Sequence, residues 1–212
     1  GLLFQDPDIQ LISASLREDV SFGPMNMGLD RQTIRSRVDA ALAFTHLEEL
    51  ADRPVHCLSY GQKKRAGIAG LLAMQPEVLI LDEPTAGLDK RMQQEFLLLL
   101  EELIIEKEVS VIISTHDIDL AYSWADNVYV LQSGTIVANC SHLDFVEEFP
   151  KFCKYDLVPP PMIDLYLQLK ETGIIPEKSE HPRSLNELID LIKNKNANDM
   201  ILHKIKSSGL DC

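Results

Sequence analysis

The chain reads as an α/β fold in which a parallel sheet is wrapped by helices. Val78-Leu79-Ile80-Leu81 is a short, continuously apolar run of the kind that forms a buried strand. Val109–Ser114 is a second, largely apolar strand-like segment. Strand-like and helix-like segments alternate along most of the chain, which is the pattern of a parallel sheet.

Each element follows from its own signals. The first residues read as a strand leading into Gln5. Ser15-x-x-Glu18 is a capping-box pattern and predicts a short helix that ends before Gly23-Pro24. Asp30 caps a longer predicted helix, Arg31–Thr45, with Ile34, Val38, Ala41 and Leu42 on one face. Leu47–Leu50 extends that helical stretch until Pro54. Ser59 caps a helix that ends near Pro76, and the Val78–Leu81 strand follows. A helix is expected over Lys90–Lys107, where the Phe96–Leu100 run predicts deep burial. After Val109–Ser114 come a helix at Ile118–Ala125 and a strand at Val128–Gln132. Ser133-Gly134 makes a hairpin turn into Ile136–Ala138. Beyond Pro150 the character changes. Pro159-Pro160-Pro161 breaks the chain, Met162–Lys170 is an apolar-rich helix, and Ser184-x-x-Glu187 caps another through Lys193. Ile201, Leu202 and Ile205 predict a last short helix.

Composition narrows the function classes. A length of 212 residues fits one domain with a small appendage, and 45% hydrophobic with 25% charged residues is ordinary for a globular protein. The net charge of −13 is uneven: residues 1–150 carry 24 acidic and 11 basic side chains, while 151–212 carry nine of each. An acidic body argues against nucleic acid as a partner, because that binding needs a basic footprint. It suits a partner that presents Arg or Lys. No apolar run approaches the roughly 18–20 residues of a membrane span, and no signal peptide opens the chain; any membrane role is expected to be peripheral. Cys57, Cys140, Cys153 and Cys212 form no C-x-x-C pair, which fits reduced thiols in the cytosol.

The chemistry concentrates in residues 58–89. Leu58-Ser59-Tyr60-Gly61-Gln62 opens a helix, and a Ser and Gly at a helix N-terminus form a backbone site for an anion. Asp82-Glu83 stands at the C-terminal end of a predicted parallel strand, where α/β sheets place metal and nucleotide chemistry. Together they read as half of a nucleotide hydrolase. The other half, a phosphate-cradling Gly-x-x-x-x-Gly-Lys-Ser/Thr loop, does not occur in the sequence.

Five motifs stand in order: Phe4-Gln5-Asp6-Pro7, Leu58-Ser59-Tyr60-Gly61-Gln62, Leu81-Asp82-Glu83-Pro84, Ala86-Gly87-Leu88-Asp89 and Ser114-Thr115-His116-Asp117. That order resembles the ATP-binding-cassette (ABC) ATPases, with their Q-loop, signature, Walker B pair, D-loop and switch His. The likeness runs from the first residues to about Leu143. Phe4 to Leu11, Glu18 to Pro24, Gln62-Lys63-Lys64-Arg65 and Ile68 to Met74 look like the energy-coupling-factor importers, and most like the cobalt/nickel ATP-binding subunit.

The resemblance implies the C-terminal portion of a three-layer P-loop NTPase fold. Residues 1–150 would be a nucleotide-binding domain lacking its N-terminal third, with a helical subdomain at about 6–75. Residues 151–212 would be an extension that helps two ATPase subunits associate. The chain is thus expected to be a fragment. ATP and Mg²⁺ are the implied cofactors. Asp82 would hold Mg²⁺ through water, and Glu83 would act as general base on the attacking water. Gln5 would contact Mg²⁺ and that water, and His116 would hydrogen-bond the γ-phosphate. Ser59, Gly61 and Gln62 would meet nucleotide bound by the opposite subunit, with Asp89 reading across the dimer. Tyr60 departs from the usual LSGGQ pattern.

Implied partners are a second ATPase subunit, a transmembrane coupling subunit and a substrate-binding membrane component, at the cytoplasmic face of the cell membrane. Six histidines and the cysteines make no ligand-spaced cluster, so transported metal would not touch this chain.

Blander readings accompany these roles. Asp82-Glu83 could be a solvated acidic loop, Ser59 an ordinary cap, Gln5 a surface residue, and Lys63-Lys64-Arg65 a solvated helix face. Asp6 and Asp8 would either receive Arg from the membrane partner or cap a local turn. Two other function classes also stay open, a non-transport cassette ATPase of DNA repair or translation and an inert truncated product. Residues 1–212 alone keep only γ-phosphate and Mg²⁺ contacts. Titration calorimetry is therefore expected to show Mg-ATP binding weaker than about micromolar, and a submicromolar isotherm would refute this.

Overall fold

The computed structural model describes residues 1–176 and 179–193. The chain divides into two compact units, the first covering Gly1–His116 and the second beginning at Asp117.

The first unit holds a three-stranded parallel sheet of β1 (Leu2–Leu3), β2 (Val78–Asp82) and β3 (Ser110–Ser114), in that spatial order. Leu2 pairs with Ile80, Ile80 with Ile112, and Asp82 with Ser114. Alternation along β2 buries Leu79 and Leu81 and leaves Val78, Ile80 and Asp82 exposed. Four helices complete the unit: α1 (Leu16–Asn26), α2 (Arg31–Phe44), α3 (Tyr60–Leu72) and α4 (Lys90–Lys107). The first three share one core, in which Leu16, Val20, Val38, Leu42, Ala66 and Ala69 are buried.

The caps form where the sequence places them. Ser15 with Glu18 and Ser59 with Gln62 are reciprocal capping boxes, and Asp30 and Asp89 cap α2 and α4.

Two expectations need correction. Helix α1 continues through Gly23-Pro24 to Asn26. A proline ring crowds the N–H and the Cβ of the residue before it, and Gly23 removes the Cβ part of that crowding. That glycine also lies so close to the Met74 side chain that a Cβ there would stand 2.6 Å from its Cγ. The Phe96–Leu100 run is not buried throughout. Phe96, Leu99, Leu100 and Leu103 face the core, whereas Leu98 is 57% exposed, because helical spacing turns part of any unbroken apolar run outward.

In the second unit, α5 (Ile118–Trp124) precedes the antiparallel hairpin β4 (Asn127–Gln132) and β5 (Thr135–Ser141). The hairpin's turn residues, Ser133 and Gly134, both have positive φ, which matches the right-handed twist of the strands. Strand β5 is longer than the Ile136–Ala138 expected. Helix α6 (Phe145–Phe152) contains Pro150 and survives it, with Phe145, Phe149 and Phe152 buried in one aromatic cluster beside Tyr122. Helix α7 (Pro161–Glu171) and a helix α8 over 185–193 follow. Ser184 and Glu187 cap α8 as expected. The predicted helix at Ile201, Leu202 and Ile205 lies outside the described residues, as does Cys212. Cys57, Cys140 and Cys153 are free thiols. No helix among the described residues is long and apolar enough to cross a membrane.

His142 is buried beneath Tyr122 in the second unit. Burial, with the nearby Arg183 adding to it, holds its imidazole below the usual 6.5. A histidine whose folded pKa is depressed contributes stability above the unfolded value, and that stability is lost as pH falls through the folded one. The thermal midpoint of the second unit should therefore drop as pH is lowered from 7. A His142→Phe variant melted over the same pH range should lose that part of the drop; an identical slope in both proteins would show that His142 does not contribute.

Candidate functional site

The parallel pairing of β2 with β3 brings both strand ends to one edge of the sheet. There the Ser114 hydroxyl donates to Asp82 Oδ1 at 2.5 Å. Glu83, the first residue past β2, takes a positive φ of 43°, and its N–H donates to the Ser114 carbonyl. The carboxylate then meets the chain that leaves β3. The His116 N–H donates to Glu83 Oε1 at 2.9 Å, and His116 Nδ1 lies 2.6 Å from the same oxygen. The Thr115 hydroxyl reaches Oε2 at 3.4 Å. A carboxylate only accepts, so Nδ1 carries the proton in this contact, and the partner thereby fixes the tautomer. The Glu83 side chain keeps 20% of its surface exposed and that of His116 keeps 86%.

Asp82 sits on the open face of the sheet, with Ile80 and Ile112 further down it. Its oxygens suit a hard cation such as Mg²⁺, which typically binds one or two carboxylates plus water and phosphate. The described residues contain no cluster of three or more His, Cys, Asp or Glu that could cage a metal.

The signature residues sit at the start of α3. The Ser59 hydroxyl accepts from Gln62 N–H, and Gln62 Oε1 accepts from Ser59 N–H. Gly61 lies against Met92 and Leu88, and Asp89 Oδ1 accepts from Met92 N–H. The Tyr60 ring packs over Gly87, where a Cβ would stand 2.9 Å from Cε1. Its hydroxyl donates to the Gln5 carbonyl at 3.4 Å. Burial and the neighbouring Asp6 and Asp8 push that phenol above 10.

Gln5 joins this group through its backbone carbonyl. Lys64 Nζ donates to the Gln5 carbonyl at 2.6 Å and to the Glu83 carbonyl at 3.4 Å. The solvated-face reading of Lys63-Lys64-Arg65 thus fails at Lys64, which is 0% exposed. Desolvation lowers its pKa from 10.5, opposed by the charges of Asp6, Asp82 and Glu83. Asp6 and Asp8 have local partners. Asp6 Oδ1 accepts from Asp8 N–H, and Asp8 pairs with Lys63.

The chain is similar to several known proteins. Residues 1–86 match the family described as ABC transporter. The chain is 48% identical over 171 residues to the energy-coupling factor transporter ATP-binding protein EcfA3 of Clostridium perfringens, covering 81% of this chain and 60% of that protein. It is 42% identical over 188 residues to the cobalt import ATP-binding protein CbiO of Rhodobacter capsulatus, covering 89% and 67%. Among solved structures, cbiO1 from Clostridium perfringens, described as part of the ABC transporter complex cbiONQ, superposes with a TM-score of 0.65. It is 48% identical and covers 78% of this chain and 66% of its own. A dimeric ATP-binding cassette in a post-hydrolysis state with ADP and Pi gives a TM-score of 0.57 at 28% identity, over 67% of this chain and 62% of its own. The expected P-loop NTPase fold of the ABC ATPases is therefore the fold observed. The chain spans about three fifths of the length of the Clostridium relative. With 42% identity across two thirds of the cobalt import protein, this chain belongs to the ATP-binding proteins of ABC transporters.

Proposed function

We propose that this chain is the larger part of an Mg-ATP-hydrolysing subunit that powers an importer through a membrane partner, with cobalt or nickel ion as the transported substrate. One observation carries the enzymatic part. The Glu83 carboxylate is aimed by three donors from the end of β3, beside a second carboxylate on Asp82.

Mg²⁺, when bound with nucleotide, would neutralise charge on the transferring phosphoryl group, and Asp82 would hold it through water with Gln5 nearby. Glu83 would take the proton of the attacking water, a contribution of about 10²–10⁴-fold. Its carboxylate is pre-aimed, because His116 and Thr115 leave it little freedom to rotate. His116 spends its Nδ1 proton on Glu83, so donation to a γ-phosphate would fall to Nε2. The same histidine would then join the general base to the phosphate.

Ser59, Gly61 and Gln62 would face nucleotide held by a second ATPase subunit, with Asp89 at the same interface. The capping box keeps the start of α3 intact, so its backbone N–H groups can present the positive end of the helix. The names of the relatives support the importer reading, since they are energy-coupling factor and cobalt import proteins. The partners would be that second subunit, a transmembrane coupling subunit and a substrate-binding membrane component, at the cytoplasmic face of the membrane. Residues 151–212 would assist pairing of the ATPase subunits. Phe22, Met25 and Met27 on and beside α1, with Ile9 and Ile12, are exposed apolar side chains that suit a docking face for the coupling subunit.

The test uses a subunit that carries a phosphate loop as well as residues 1–212. Glu83→Gln should lower turnover by about 10²-fold or more while leaving ATP binding intact, since the amide keeps the shape and loses the base. Phosphate release and filter binding measure the two quantities. Turnover within about threefold of the parent would remove Glu83 from the role of base.

A further inference from the structure

Lys64 is a fully buried cation in the middle of the candidate site, and the ATPase roles above leave it without a task. It lies on the face of α3 that also buries Ile68 and Leu71. An apolar side chain would fill that face without the cost of desolvating a charge. What the ammonium touches must therefore account for it. Lys presents three donors and no acceptor. Nζ donates to the Gln5 carbonyl at 2.6 Å and to the Glu83 carbonyl at 3.4 Å, and stands 5.6 Å from the centroid of the Tyr60 ring. The carboxylates of Asp6, Asp82 and Glu83 favour its charge. With no exposed surface, it is not available as a direct phosphate ligand.

Both carbonyls belong to residues whose backbone needs holding. Glu83 sits at φ 43°, a left-handed conformation that costs a non-glycine residue about 1–3 kcal/mol. Its carbonyl is held from two sides, by Ala86 N–H at 3.1 Å and by Lys64. The Gln5 carbonyl is likewise held by Lys64 and the Tyr60 hydroxyl. On its N-terminal side, Gln10 grips the segment through Phe4 N–H and the Leu2 carbonyl.

We propose that Lys64 is a positioning residue for hydrolysis, clamping the Gln5 and Glu83 carbonyls so that both loops move with the start of α3. This rests on the ATPase reading above. It goes beyond that reading by giving the signature helix a hold on the catalytic loops of its own subunit.

Lys64→Met keeps the length of the side chain and removes the charge, and Lys64→Arg keeps both charge and donors. Hydrogen exchange on residues 1–212 needs no ATPase activity. In Lys64→Met, the amides of Asp6, Asp8, Thr85 and Ala86 should exchange at least about tenfold faster with those of α2 unchanged, and in Lys64→Arg within about threefold of the parent. In a subunit that also carries a phosphate loop, Lys64→Met should lower kcat about tenfold or more and leave KM for ATP within about threefold. Combined with Gln5→Ala its loss should fall clearly short of the product of the two single losses, because the two variants share the Gln5 loop while the hold on Glu83 is lost only with Lys64. Lys64→Gln is read in the same way where Lys64→Met does not fold. Unchanged loop exchange, equal acceleration in α2, or fully additive kinetic losses would overturn the proposal. A parent subunit that does not hydrolyse ATP would instead overturn the ATPase reading, and the exchange data would still decide the role of Lys64.

Discussion

The parallel register of β2 against β3 is the constraint on which the candidate site depends. Asp82 stands opposite Ser114, so the two chains leave the sheet side by side and Glu83 meets Thr115 and His116. A slip of one residue would turn every side chain to the other face. Leu79 and Leu81 would leave the core, and the Asp82 carboxylate would enter it without a compensating charge, which is among the costliest changes a core can suffer. The burial of Leu79 and Leu81 therefore does more than build a core. It sets the face on which Asp82 emerges and the edge at which Glu83 turns. The stability of the strand pair and the placement of the carboxylates are the same requirement.

Much of this was legible in the sequence because it rests on local rules. Ser15 with Glu18 and Ser59 with Gln62 announce helix starts by spacing alone, and both form. Strand β2 announces itself by an unbroken apolar run and β3 by the Val111-Ile112-Ile113 triplet. The acidic pair could be placed at a strand end, and His116 at the end of the next, before any contact was known. What was not legible depended on tertiary approach. Pro24 reads as a helix breaker, yet α1 runs on to Asn26, and the Gly23 before it packs against Met74 where a Cβ would not fit. Lys64 reads as solvated within Lys63-Lys64-Arg65. A signal was nevertheless there: Lys64 is four residues before Ile68 and seven before Leu71, in phase with the buried face of α3. Charge type outvoted periodicity in that reading. A lysine in phase with a core face has to be asked what it donates to.

The balance of burial and exposure around α3 shows how one helix serves two ends of the unit. Its middle, through Ala66 and Ala69, is packed with Leu16, Val20, Val38 and Leu42 in the core shared with α1 and α2. Its first turn carries the contacts to Gln5, Asp8 and Gly87 through Lys64, Lys63 and Tyr60. A close-packed core transmits displacement instead of absorbing it. A partner bearing on the exposed apolar side chains of α1 would thus act on the body that also carries the signature.

Tyr60 fits this arrangement and explains why a bulky residue is tolerated in a motif that usually holds glycine there. Its ring lies over Gly87, and its hydroxyl reaches back to Gln5, both within the same chain. The ring is partly covered by its own chain, with Tyr60 keeping 39% of its surface exposed. Gly61, the next residue, rests on Leu88 and Met92 and adds no side chain of its own at the helix start. The backbone N–H groups of that first turn are what an anion would need. The departure from the usual motif therefore falls at the one position of the pair where a side chain can be folded back onto its own D-loop. In doing so it ties the D-loop and the Gln5 loop to the same turn of helix.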